Sequence, residues 1–327
     1  MALIARDERH QQQINAGIAG RKRGHKFEET LTDYINSLEF VSIGPTVLPI
    51  NNKHIYQGNP AIQLLQYIAN SERLTITQVK AYWLGALATS GKGDMLFDQN
   101  GNPITGSKSD ILLQIVSDSG VKIIGVSVKT CNKVTPTNDQ MYFSTTRAFC
   151  KLLEDNGITV SQEAKTGMSQ FCGDDGFRPI DVLPSNVIAT RLSDPNRFYW
   201  EELSPEAKDD WKKIFENHQD KITMLLFQKA YKNDPYPPTY LLHQTVEYDD
   251  FTNCNIAIFT MDEIVSLSKQ FQGYVLSSYK IRKGTYKNDP NEHLAPRFGF
   301  IQFQRGGQKQ HPTQLQFNLK AGYFKHI

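Results

Sequence analysis

The chain has little of what marks a secreted, membrane or metal-cluster protein. Its four cysteines, Cys131, Cys150, Cys172 and Cys254, stand far apart and none belongs to a Cys-x-x-Cys pair. That spacing excludes a zinc ribbon and predicts reduced thiols. No apolar run approaches the roughly eighteen residues of a membrane-spanning helix. The opening Met-Ala-Leu-Ile-Ala-Arg-Asp-Glu-Arg lacks the long apolar stretch of a secretory signal. A cytoplasmic protein is expected. The histidines are scattered, with no His-Glu-x-x-His. Gly91-Lys92 has Ala86 and Gly93 where a phosphate-binding P-loop needs glycine and Ser or Thr, which excludes that motif. Gly173-Asp174-Asp175-Gly176 lacks the remaining ligands of a calcium loop and reads as a surface turn.

Net charge is nearly absent too, +2 over 327 residues. The balance hides an asymmetry. Residues 1–26 hold six Lys/Arg against two acids, residues 265–327 hold ten against two, and the middle is acidic. Basic segments of this kind are the footprint of a nucleic-acid binder, unless folding disperses them. Residues 1–24, with Gly17, Gly20 and Gly24 around Arg21-Lys22-Arg23, contain little that can pack a core. They read either as a frayed lead-in or as a basic arm that orders on a polyanion.

The most organised stretch is Ser109–Thr130. Ile111–Val116 and Val121–Val128 are rich in β-branched residues, and Asp118-Ser119-Gly120 between them is turn chemistry, which predicts a β-hairpin. Asp110 opens its first strand and Lys129 closes its second. In an antiparallel pair those two positions meet at the open end. A carboxylate is a hard ligand for Mg2+, and a neighbouring lysine can position a water. By itself such a pattern is also that of an ordinary strand pair with charged ends.

Upstream, Phe27, Leu31, Tyr34 and Ile35 recur at helical spacing, an amphipathic helix carrying Glu28 and Glu29. Ala61–Ala69 is helical by period, and Leu74–Leu87 reads as a further helix. Downstream, Arg147–Gly157 has a Ser/Thr cap and an Asn-Gly stop. Ser204-Pro205-Glu206 starts another helix, one more is expected from about Lys221, and Thr239–Gln244 reads as a short one. Asn255–Thr260 predicts a strand and Asp262–Lys269 a helix. From Gly273 the chain turns basic and β-like. Alternation in Phe298–Lys309 and Thr313–Leu319 places Gln302, Gln304, Gln314, Gln316 and Asn318 on one polar face, with Arg305 and Lys309 nearby. Gln, Asn and Arg can read base edges in a major groove; the same face can equally be the wet side of a sheet.

The acid at Asp110 with Ser127-Val128-Lys129 on the next strand resembles the PD-(D/E)XK nuclease motif, the active site of most type II restriction endonucleases. Ser127 departs from the pattern, which has Asp or Glu there. Gly24-x-x-Phe27-Glu28-x-x-Leu31 resembles the first helix of that family, which often carries an extra active-site glutamate. The resemblance covers residues 24–155. It implies an α/β (α+β) fold with a restriction-endonuclease-like core, a central mixed sheet flanked by helices. The expected organisation is a basic arm over 1–24, a catalytic core over 25–165, and a helical and β region over 166–327 for DNA recognition or dimerisation, separate from the core or continuous with it.

The implied activity is sequence-specific cleavage of double-stranded DNA by a homodimer within a restriction-modification system, alongside a DNA methyltransferase of the same specificity. Asp110 and Glu28 would hold Mg2+, with Glu29 the second choice for the helix acid and Asp94 a rival of Asp110. Lys129 would orient the attacking water, and Ser127 would hold a metal-bound water. Arg21, Lys22 and Arg23, with Gln302, Gln304, Arg305, Lys309, Gln314 and Gln316, are the candidate DNA contacts. The rival readings are a DNA-binding protein without catalysis and a structure-selective or repair nuclease with the same core.

Overall fold

The protein is described here from a computed structural model covering residues 8–39, 42–46, 54–85, 87, 93–98, 100–131, 138–229, 234–246, 251–271, 273–282, 286–305, 314–320 and 322–323. Its strands in chain order are β1 (Ile55–Gly58), β2 (Ile76–Trp83), β3 (Ile111–Ser117), β4 (Gly120–Thr130), β5 (Asp139–Ser144), β6 (Pro238–Val246), β7 (Cys254–Thr260), β8 (Tyr274–Tyr279), β9 (His293–Phe298), β10 (Ile301–Arg305) and β11 (Leu315–Leu319). They form two sheets, a mixed one of order β1-β7-β6-β4-β3-β2 and an antiparallel one of order β5-β11-β10-β9-β8. The α+β class expected from the sequence is the class found. Among the described residues no helix is long and apolar enough to cross a membrane, and all four cysteines are buried and outside any disulfide.

The chain divides into two compact units. The first takes residues 1–137, 224–265 and 321–327, and the second takes 138–223 and 266–320. This differs from the expected boundaries at 165 and 166. The reason is strand pairing: β4 pairs in parallel with β6, and parallel neighbours require a long crossover. Residues 138–223 fall within that crossover, and β6 and β7 return to complete the first sheet.

In the first unit, helix α1 (Glu8–Ser37) packs on β2 and β4, and helix α2 (Pro60–Glu72) on β1 and β7. Asn59 caps α2 by accepting from the N–H groups of Ala61 and Ile62, with Pro60 at the first helical position. One sheet face and both helices close a core of Leu31, Ile35, Leu64, Leu65, Ile68, Ile111, Leu113, Ile115, Val126, Val128, Tyr240, Leu242, Ile256 and Ile258.

Three local expectations are corrected here. Residues 8–24 are not a separate arm but the first half of α1, which runs through Gly17, Gly20 and Gly24 without a break. Within Leu74–Leu87, Ile76–Trp83 is strand β2 where a helix was expected; a register shift between Ile76 and Gln78 interrupts the alternation that would have marked it. Thr239–Gln244 lies in β6, an interior strand paired on both sides. A strand buried on both faces reads as a continuous apolar run, so its period is silent.

The second unit has an aromatic core. Phe215 stacks on Phe298 with centroids 4.6 Å apart, Phe149 lies 4.7 Å from Phe317, and Trp200 and Trp211 are fully buried. Helix α3 (Thr146–Asp155) is capped by Thr145, α4 (Gln162–Cys172) by Ser161 and α5 (Pro205–Asn217) by Ser204, each hydroxyl accepting an N–H of the first turn. Further along the chain, helices occupy Gln219–Gln228 and Met261–Lys269.

Candidate active site

Hairpin β3–β4 has Ile111 opposite Val126 and Ser117 opposite Gly120. One residue outside that ladder, the Asp110 N–H donates to the carbonyl of Val126 at 2.9 Å. This register fixes Asp110 beside Ser127 at the open end. Its Oδ2 accepts the Val128 N–H at 2.6 Å and the Ser127 hydroxyl at 3.2 Å, and lies 3.8 Å from Lys129 Nζ. Lys129 Nζ also donates to the carbonyl of Val128 at 3.0 Å. Asp110 and Lys129 meet as the hairpin geometry predicts. Ser127 orients Asp110 directly.

Helix α1 brings in Glu28, buried at 6% exposure. Trp83, the last residue of β2, donates its indole N–H to Glu28 Oε2 at 3.1 Å. The chain then turns at Leu84 and Gly85, whose N–H groups both donate to the carbonyl of Asp110 at 2.9 and 3.0 Å. A Cβ on Gly85 would lie 1.9 Å from Glu28 Oε2, so only glycine leaves room for this carboxylate. Burial, and then the nearby Asp110 charge, push the Glu28 carboxyl up to about 8, against the opposing pull of the Trp83 hydrogen bond and Lys129. A cation between Glu28 and Asp110 would relieve that repulsion.

Sequence reasoning missed Trp83, Gly85 and one further group, Lys108. The backbone N–H of Lys108 and the hydroxyl of Ser107 donate to Asp234, which ties this segment down. Desolvation, and then the neighbouring Lys129, hold the Lys108 ammonium down to about 8, although Asp110 pulls it up. No sequence period links these positions. Trp83 and Gly85 are set there by the pairing of β2 with β3, Trp83 opposite Ile111 and the Gly85 N–H on the Asp110 carbonyl.

The rival acids lie elsewhere. Asp94 Oδ2 accepts the Trp83 backbone N–H at 2.8 Å, and the Asp94 N–H donates to the Trp83 carbonyl. It serves as a backbone clasp on β2. Glu29 is exposed, one position round the helix from Glu28. Among the described residues no group of three His, Cys, Asp or Glu side chains is placed to hold a metal ion. The carboxylates that meet electrostatically at the end of the hairpin are two, Asp110 and Glu28. That chemistry fits Mg2+, which binds through one or two carboxylates and keeps water and substrate phosphate for its other positions.

The candidate DNA contacts divide. Arg21, Lys22 and Arg23 are exposed on α1. In the second unit, Gln302 stands opposite Asn318 and Gln304 opposite Gln316, so these four share one face. Gln304 is exposed, Gln302 and Gln316 are half-buried, and Asn318 is buried. Arg297 lies beside Gln302, and the exposed Phe143 beside Gln316. Gln314 precedes β11 and is half-buried. Arg305 is a correction: as the neighbour of Gln304 it projects to the opposite face. There it is 9% exposed and ion-paired to Asp194 at 3.1 Å, a structural role. Lys309 lies outside the described residues.

A scan of protein-family models and a search of the curated proteins returned no match to this chain.

Proposed function

We infer that the protein is a Mg2+-dependent, sequence-specific endonuclease of double-stranded DNA, of the type II restriction class. The observation that carries this reading is the cluster at the open end of the hairpin: Asp110, Lys129 at 3.8 Å, and a buried glutamate from α1 in the same field. A mixed sheet flanked by helices, with that hairpin at its centre, supports it.

In this reading Asp110 and Glu28 hold Mg2+. The ion would polarise the scissile phosphate and acidify a bound water. Lys129 orients the water and stabilises the charge that develops on the phosphate. Ser127 and the Val128 N–H fix the rotamer of Asp110, and the Trp83 indole fixes that of Glu28. Such preorganisation is where much of an enzyme's rate enhancement lies. The glutamine face of the second unit is the candidate base reader. The reading also implies a homodimer on a palindromic site, a methyltransferase of matching specificity, and the cytoplasm as the place of work.

Plasmid DNA incubated with the purified protein in Mg2+ should give a discrete fragment ladder, and EDTA should abolish it. Retarded but uncut DNA would replace this reading with a non-catalytic DNA-binding protein. Cutting without discrete fragments would favour a structure-selective nuclease.

A further inference from the structure

Helix α1 turns more than Glu28 toward the site. At 3.6 residues per turn, Gly24, Arg21 and His25 fall within about 60° of Glu28 around the helix, whereas Lys22, Arg23 and Lys26 lie about 120° or more away. The packing around α1 follows that phase. A Cβ on Gly24 would sit 3.8 Å from Glu28 Oε1. The His25 ring meets the Trp83 indole edge-on at 6.2 Å, and this is the indole that holds Glu28. His25 is half-buried and Arg21 exposed.

A site built from two carboxylates must still admit a polyanion, so donors are needed where the phosphates enter. Burial and the Arg21 charge hold the His25 ring below its ordinary value, against the pull of Asp110. A neutral ring donates one hydrogen bond without competing for the metal-binding charge. Arg21 precedes it by one helical turn, about 6 Å along the axis. A guanidinium suits a phosphate through paired N–H donors.

We propose that Arg21 and His25 are the substrate-binding residues of α1: His25 donates to a non-bridging oxygen of the phosphodiester being cut, and Arg21 holds the next phosphate of that strand. The inference rests on the endonuclease reading and adds which side chains of the basic tract serve it. Arg21 is the member of the Arg21-Lys22-Arg23 run that shares the face of Glu28.

The test uses the full chain, a plasmid that the wild type cuts, and a labelled fragment of that plasmid for binding without metal. Arg21→Ala should flatten the dependence of log affinity on log salt by about one phosphate's worth. His25→Ala should slow single-turnover cleavage by about ten- to hundredfold, the scale of losing a hydrogen bond to a charged group, and His25→Gln should recover part of it. Lys26→Ala, on the far side of the helix, should match wild type in both assays. Thermal melts confirm that each variant is folded. If Arg21→Ala keeps the wild-type salt slope and His25→Ala the wild-type rate while the wild type cuts, the inference falls and the endonuclease reading stands. Equal losses in Lys26→Ala would also overturn it, by showing a general charge effect. A wild-type protein that does not cut overturns the reading itself, and this inference with it.

Discussion

Gly85→Ala isolates the geometry of the site from its chemistry. The new Cβ would lie 1.9 Å from Glu28 Oε2 and 2.8 Å from its carboxyl carbon. An ordinary non-bonded contact is about 3.5 Å, so the carboxylate must retreat by about 1.5 Å. That movement also breaks the 3.1 Å hydrogen bond from Trp83. A misplacement of about 1 Å at a reacting centre can cost about a hundredfold in rate. Gly85→Ala should therefore lower single-turnover plasmid cleavage by about that factor. Stability should fall by about 1–3 kcal/mol for the displaced buried carboxylate and its lost hydrogen bond, with no backbone strain added, because Gly85 is not among the positive-φ glycines. The lost flexibility of the unfolded chain favours alanine by about 0.4–1 kcal/mol. In a Glu28→Ala background the same substitution should have no further effect on rate. Wild-type cleavage by Gly85→Ala would refute the placement of Glu28 in the site.

Other expectations follow from the same contacts. The Glu28 carboxyl sits near 8 in the metal-free protein. Its favourable contribution is thus present below the ordinary carboxylate range and lost as pH rises through about 8. Metal-free Glu28→Gln should gain stability over wild type between pH 5 and pH 9, on the order of a few kcal/mol; a difference that is flat with pH would contradict the assignment. In the second unit the His293 ring bridges Glu201 Oε1 at 2.6 Å and Asp289 Oδ2 at 3.0 Å. His293→Ala should cost about 1–3 kcal/mol in chemical denaturation by leaving the buried Asp289 carboxylate one hydrogen bond short, and an unchanged midpoint would show that the bridge is idle. Gln304→Ala and Gln316→Ala should each lower discrimination between sites by about 1–3 kcal/mol if they read bases. Arg305→Ala should lower stability and leave site preference alone, and a changed preference would put that side chain back among the readers.

The hairpin was legible because strand period, turn residues and charged ends all agree over Ser109–Thr130, and its register then forces Asp110 onto Lys129. The helix around Glu28 was legible through the phase of Phe27 and Leu31; Glu28 itself was singled out by resemblance to a nuclease-family helix and by its place beside Phe27. The same phase, followed back one turn, points to His25. Trp83, Gly85 and Lys108 had no such signal: Trp83 reaches the site through the pairing of β2 with β3, which no short-range pattern records. Strands β2 and β6 were hidden for opposite reasons, a bulge in one and burial on both faces in the other. The polar face of β10 and β11 was legible from alternation, and the same alternation sets Arg305, a candidate from beside that face, on the opposite side. The division into units was not legible, because the parallel pairing of β4 with β6 joins residues more than a hundred positions apart.

The proposed function gives phosphodiester hydrolysis with Mg2+ to Asp110 and Lys129. The most direct test compares wild type, Asp110→Ala and Lys129→Ala on plasmid DNA in Mg2+ and in EDTA, with DNA retardation measured in parallel. Wild type should give discrete fragments in Mg2+ alone, and the folded variants should retard DNA without cutting it. Cleavage that survives both substitutions would contradict that assignment.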